Sequence, residues 1–135
     1  MEGEYELKTN VIGSEKGDCK ELKVVNRIIR VTDLGLEYEA DIRHGERLVK
    51  QLGLEHSKPV DTPGVGEFTG NDDLEELNKE YSSAYRSIVA RANYLAVDRP
   101  DIQFAVKVLA GQMAAPRNCD WTRLKRPGRL SLIHI

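Results

Sequence analysis

Residues 81–115 read YSSAYRSIVARANYLAVDRPDIQFAVKVLAGQMAA, and their apolar side chains recur at helical spacing in two separate runs. These runs are Tyr85, Ile88, Val89, Ala92, Leu95 and then Ile102, Ala105, Val106, Leu109, Met113. Between them lies Asp98-Arg99-Pro100-Asp101, in which Asp98 is suited to cap a helix and Pro100 to stand in its first turn. The pattern therefore predicts two helices joined by a sharp corner.

Upstream of this stretch, alternating apolar and polar residues predict strands over residues 4–12, 21–31 and 34–42. In the third strand one set of side chains is expected to face inward: Leu34, Leu36, Tyr38, Ala40 and Ile42. A short helix is expected from Arg43 to Leu52, with Asp41 as its cap and Gly53 at its end. Residues 54–73 predict an exposed linker, and residues 74–80 a helical turn.

Downstream, a third helix is expected to begin near Cys119 or Asp120, to contain Trp121 and Leu124, and to stop at Pro127-Gly128. The predicted fold class is α+β. A small antiparallel hairpin or three-strand unit is followed by a bundle of three helices.

Composition and charge narrow the class of protein. The chain has 135 residues, no apolar run of membrane-spanning length, and two cysteines without a neighbouring ligand set for zinc. An intracellular protein of the cytoplasm or nucleus, with free thiols and no membrane partner, is expected. Residues 1–80 carry 11 Lys/Arg and 19 Asp/Glu, whereas residues 81–135 carry 9 and 3. This asymmetry suggests that the basic part of the chain binds a polyanion. On charge alone, the favoured interpretation is that these Lys and Arg side chains only solvate helix faces.

Several spaced motifs resemble the segment that follows the polymerase palm in copia-type LTR retrotransposon Pol polyproteins. In the central stretch the matching motifs are Tyr85-Arg86-Ser87-Ile88-Val89, Tyr94-Leu95, Arg99-Pro100-Asp101-Ile102 and Ala105-Val106. Outside it they are Leu52-Gly53, Lys58-Pro59-Val60-Asp61-Thr62-Pro63 and the set Trp121, Leu124, Lys125, Arg126. The resemblance covers residues 4–126, nearly the whole chain.

The resemblance implies the end of a reverse transcriptase palm (residues 1–53), a linker (54–80) and a helical thumb (81–129). Val25-Asn26 stand where the family often has Leu-Gly, Gly45 weakens the first helix, and Pro127 interrupts a helix that the family continues. Residues 130–135 match nothing in the family and are predicted to be a non-native tail.

Reverse transcriptases hold two metal ions on palm aspartates, and the Tyr-x-Asp-Asp turn of the family is absent from this sequence. The one adjacent aspartate pair, Asp72-Asp73, lies in the predicted linker and is not expected to hold a catalytic metal. We therefore expect an inactive fragment of an RNA-directed DNA polymerase without a cofactor of its own. The resemblance implies Mg²⁺ in the intact enzyme.

The resemblance also implies contact with a template–primer duplex, either RNA–DNA or DNA, and with the missing palm and RNase H parts of the polyprotein. The predicted contacts are cations off the apolar stripes: Arg86, Arg91, Arg99, Lys107, Arg123, Lys125 and Arg126. Arg99 is equally expected to form an ion pair with Asp98 or Asp101 instead of contacting phosphate. Trp121 is expected to anchor the helical core rather than to stack on bases. A stand-alone nucleic-acid-binding module and a helical protein-interaction domain remain alternatives.

Overall fold

The computed structural model describes residues 8–64 and 73–134, and the chain divides into two compact units, Met1–Asp41 and Ile42–Ile135. The first, called the strand unit, contains β1 (Glu21–Val24), β2 (Arg27–Thr32) and β3 (Gly35–Glu39). The second, called the helical unit, contains α1 (Arg43–Gln51), α2 (Lys79–Leu95), α3 (Pro100–Gly111), α4 (Asn118–Ser131) and a short 3-10 helix (Leu132–His134). The predicted α+β class is confirmed, with four α-helices where three were expected in the bundle.

β1 and β2 form a hairpin, so the prediction of one strand over residues 21–31 is wrong. Val25 and Asn26 occupy the two central turn positions with φ of 49° and 64°. These paired left-handed values are typical of a type I′ turn, whose twist matches that of the flanking strands. Asn tolerates the conformation, whereas a β-branched Val is strained in it. Because neither Gly nor Pro marks the turn, the apolar pattern alone did not reveal it.

The antiparallel register places most apolar side chains of the sheet on one face, whereas Ile28 lies on the other face with Arg30. Leu22, Ile29 and Tyr38 lie opposite one another across β1, β2 and β3. The predicted alternation of β3 is therefore confirmed, but its inward placement is wrong, since Leu36 is 73% and Tyr38 55% exposed. The described part of the strand unit contains no helix that could cover this face.

The opposite face of the sheet is held by an ion triad. Arg30 donates from Nε to Glu21 at 2.6 Å and from Nη1 to Glu39 at 2.7 Å, so one guanidinium joins all three strands. These two hydrogen bonds raise the pKa of Arg30. The earlier predicted strand, residues 4–12, is not found in its described part: residues 8–12 contribute only a bridge from Ile12 to Cys19, and residues 4–7 lie outside the described residues.

The helical unit is built around the two predicted apolar stripes. All the α2 stripe residues are buried, as are those of α3 from Ile102 to Leu109. They pack with Leu48 and Val49 of α1 and with Leu124 and Leu130 of α4 in one core. The structure thus groups α1 with the other helices, whereas the sequence grouped it with the strands. The wider division into residues 1–53, 54–80, 81–129 and 130–135 stays a prediction.

Two helix caps differ from expectation. The N-cap of α3 is Arg99 and not Asp98, because Pro100 takes the first helical position. The N-cap of α1 is Ile42 and not Asp41. The predicted end of α1 is confirmed, since Gly53 follows it with φ of 64°.

Helix α4 continues through Pro127 and Gly128 to Ser131, so the predicted stop is wrong. Pro127 removes one backbone hydrogen bond, but it is fully buried, and burial of apolar surface offsets such a loss. Gly128 lets α4 approach α1 closely: a Cβ there would lie 2.7 Å from Leu52 Cδ1 and 2.8 Å from Leu54 Cδ1. Leu130 and Ser131, the start of the predicted tail, are buried within this packing.

The described parts of the predicted linker are fastened to the helical unit rather than fully exposed. Leu54 is buried, and Val60 and Leu77 pack against the core. Residues 73–77 do not form the predicted helical turn: Glu76 makes a bridge with Arg117, and Leu77 N donates to Pro116 O at 2.9 Å before the start of α4. Helix α2 begins only after Asn78, whose side chain accepts from Tyr81 N at 2.9 Å.

Candidate nucleic-acid interface

One cleft of about 670 Å³ lies along α4, and four cations line it: Arg123, Lys125, Arg126 and Arg129. They share one side of the helix because spacings of three and four residues bring side chains onto one face. The remaining lining comes from the end of α1 and the segment after it, including Leu52, Leu54 and Val60. No acidic side chain is among the lining residues of the described cleft.

The four cations differ in how firmly they are held. Lys125 and Arg129 are exposed. Arg126 donates from Nε to Thr62 O at 3.3 Å and from Nη2 to Thr62 Oγ1 at 3.2 Å, so it fastens the segment that forms the opposite wall. The Arg123 side chain is only 13% exposed, with Nη1 lying 4.0 Å from Asp120 Oδ1. Lys125 and Arg129 are therefore the cations best placed to reach an anion.

Asp120 is a structural partner in this arrangement. Its carboxylate is almost fully buried, and Oδ2 accepts from Arg117 N at 3.0 Å at the start of α4. A carboxylate there satisfies one of the free N–H groups of the helix and suits the positive end of the helix dipole. Asp120 thus supports the start of α4 and lies beside Arg123, one of the lining cations.

The chain is similar over part of its length to a known protein. The chain is 31% identical over 84 residues to an uncharacterized mitochondrial protein of Arabidopsis thaliana. The match covers 62% of this chain and 34% of that protein, so the chain spans about a third of the length of the relative. No family model and no solved structure matches.

The other four predicted cations lie away from the cleft. Arg99 forms a two-pronged ion pair with Asp101, at 2.9 Å from Nε and 2.6 Å from Nη2, which is the structural alternative considered for it. Arg86 donates to Met113 O at 2.7 Å and to Ala114 O at 3.1 Å after the end of α3. Arg91 on α2 is partly buried, and Lys107 on α3 is exposed.

Arg129 is the cleft residue that the sequence prediction missed. The predicted helix stop at Pro127-Gly128 leaves Arg129 beyond the helix, whereas α4 extends to Ser131 and includes it. Its position three residues after Arg126 and four after Lys125 was the available signal, since continued helical periodicity places all three together.

Two further residues from the sequence analysis, Trp121 and Asp73, have structural roles. Trp121 packs on the core with its ring edge-on to Tyr81, the centroids 5.5 Å apart, as expected of a core anchor. Asp73 accepts from Glu75 N and from Asn118 Nδ2, both at 3.0 Å, and so fixes a turn. Asp72 lies outside the described residues.

The described chain contains no group of three or more His, Cys, Asp or Glu that could hold a metal ion, so nothing in it fits the Mg²⁺ implied for an intact polymerase. In residues 8–64 and 73–134, no helix has both the length and the apolar character needed to cross a bilayer.

Proposed function

We propose that this chain is a piece of a retroelement Pol polyprotein whose helical unit holds the phosphate backbone of a template–primer duplex against α4. The spaced motifs that resemble copia-type polyproteins support the origin, as does the similarity to the Arabidopsis mitochondrial protein. The observation that carries the binding role is the convergence of Arg123, Lys125, Arg126 and Arg129 on one cleft without a lining carboxylate among the described residues.

The chemistry of this site is electrostatic positioning. Duplex nucleic acid carries one negative charge per about 1.7 Å of its axis, and cations that neutralise phosphates release bound counterions. Lys125 and Arg129 are separated by about 6 Å along the helix axis, given a rise of about 1.5 Å per residue. A rigid helix can therefore present both charges to one strand, in a contact that fixes position without reading sequence. The metal-binding aspartates of the polymerase would lie on other parts of the polyprotein.

The binding role is tested by the salt dependence of affinity for a labelled RNA–DNA hybrid, measured by fluorescence anisotropy. In the Lys125→Gln/Arg129→Gln variant we expect weaker binding and a slope of log affinity against log salt that is smaller by about 2. The matched control, Lys79→Gln/Lys107→Gln, removes the same charge from exposed positions on α2 and α3 and should retain the wild-type slope. Equal losses in both variants, or binding indifferent to salt, would exclude the α4 cleft as the binding site.

The origin of the chain is tested separately by flanking genomic sequence. An upstream Tyr-x-Asp-Asp turn and a downstream RNase H region in the same frame are expected for a polyprotein fragment. An isolated reading frame with the same binding activity would instead favour a stand-alone module derived from a retroelement. The intracellular location, cytoplasmic or nuclear, stays a prediction.

A further inference from the structure

The cleft along α4 is chemically two-sided. Its rim is cationic, with Lys125 and Arg129 exposed, while its floor contains the apolar side chains of Leu52, Leu54 and Val60. A surface that only followed a phosphate backbone would have no use for an apolar floor, because phosphates and sugars are polar. The floor points to a ligand that is anionic at one end and apolar at the other.

The cleft is also concave and bounded on its far side. Arg126 reaches across it to Thr62, and a Cβ on Gly64 would lie 2.7 Å from Arg126 Nε. The segment of residues 62–64 is therefore packed directly beneath the Arg126 guanidinium. The cleft is open on one side, and its volume of about 670 Å³ lies within the range of about 300–1,000 Å³ that holds small ligands.

We propose that this cleft takes unpaired nucleotides, with a base on the apolar floor and its phosphates on the cationic rim. The inference rests on the proposed function and refines it, since the nucleotides would belong to a single-stranded overhang next to the bound duplex. A duplex presents phosphates on a convex surface and keeps its bases stacked inside, so it can touch only the rim. An unpaired strand can turn its bases outward into a positively charged groove.

The lining supplies partners for such a base. The planar guanidinium of Arg126 lies at the wall, and guanidinium planes stack on unpaired bases in the same way as aromatic rings. Ser57 and Thr122 line the same space: the Ser57 hydroxyl can donate to or accept from a base edge, and Thr122 Oγ1, which donates to Asn118 O at 3.3 Å, can accept. Stacking of this kind tolerates any base, so little sequence preference is expected.

The test compares two RNA–DNA hybrids with the full chain, one blunt and one carrying an overhang of about four nucleotides, a length within known single-strand site sizes. The overhang hybrid should bind about tenfold more tightly, which corresponds to one stacked base. Val60→Thr, which adds a hydroxyl to the floor without touching a cation, should reduce this advantage while blunt binding is unchanged. Gly64→Ala, which pushes against Arg126, should also reduce the advantage, together with some of the blunt affinity. Gly111→Ala, where a Cβ meets open space, is the control that should change neither.

The outcomes separate the two proposals. Equal binding of the blunt and overhang hybrids would overturn the nucleotide cleft and leave the duplex role standing. An overhang advantage that neither Gly64→Ala nor Val60→Thr reduces, with both variants melting as cooperatively as wild type, would also overturn it. Binding of neither hybrid at low salt would overturn both.

Discussion

At the scale of single residues, burial in the helical core changes the acidity of the Tyr85 hydroxyl. Its ring is fully buried on α2, and its hydroxyl donates to Leu109 O on α3 at 2.9 Å. Burial, reinforced by the negative charge of Asp120, raises the pKa of Tyr85 above its ordinary value of 10.0. The folded chain therefore keeps this hydroxyl protonated at a pH where the unfolded chain releases the proton.

This difference predicts a loss of stability in alkali. Above about pH 10 the unfolded state binds fewer protons than the native state, so the free energy of unfolding should fall by up to about 1.4 kcal/mol per pH unit from this residue. Tyr85→Phe should cost about 1 kcal/mol at neutral pH through loss of the hydrogen bond, yet show a shallower fall in alkali. Urea unfolding from neutral to alkaline pH measures both quantities.

Tyr81→Phe is the matched control, because the Tyr81 side chain is half exposed on the same helix. The free energy of unfolding of Tyr81→Phe should depend on pH in the same way as that of wild type. If the free energy of unfolding of Tyr85→Phe fell as steeply as that of wild type above about pH 10, the buried Tyr85 hydroxyl would not be the cause of the alkaline loss of stability.

At the scale of elements, the β1–β2 hairpin contains a residue in an unfavourable conformation. Val25 has φ of 49° in a type I′ turn, where a β-branched side chain costs about 1–2 kcal/mol. Val25→Asn should remove most of this cost and raise the stability of the strand unit by about 1 kcal/mol. Native-state hydrogen exchange of the β2 amides measures that stability directly.

Val11→Asn provides the control for this substitution. Val11 and Val25 are both 67% exposed, so the change in exposed side chain is the same, but among the described residues Val25 and Asn26 alone are non-glycine positions with positive φ. Slower amide exchange in both variants, or in neither, would mean that the conformation of the turn does not limit the stability of the hairpin.

Elements with repeated signals could be predicted from sequence, and elements decided by tertiary packing could not. The stripes of α2 and α3 each repeat over several turns, and both helices formed where expected. Helix α4 passes Pro127 and Gly128 because tertiary packing buries both residues, and the atoms nearest to Gly128 belong to Leu52 and Leu54, which lie far away in sequence. The turn at Val25-Asn26 between β1 and β2 contains no Gly or Pro, so the apolar pattern of a strand continues through it and does not reveal the turn.

At the scale of the whole chain, the same limit applies to the candidate site. The charge asymmetry singled out the cations of residues 81–135, and three of those predicted share the cleft, but their contact with nucleic acid stays a prediction. The sequence could not show that Arg99 forms its ion pair with Asp101. Nor could it show that residues between 52 and 64 line the cleft together with α4. Both depend on distances that only the folded chain defines.

The central claim, that α4 is the surface that contacts nucleic acid, can be tested within one unaltered protein by lysine footprinting. Lys125 on α4 and Lys107 on α3 are both exposed, so both should react with an amine-modifying reagent in the free protein. With an RNA–DNA hybrid at low salt, mass spectrometry should show Lys125 protected and Lys107 still reactive, with the protection lost as salt releases the hybrid. Protection of Lys107 with Lys125 left reactive, or no protection of either at saturating hybrid, would contradict the account.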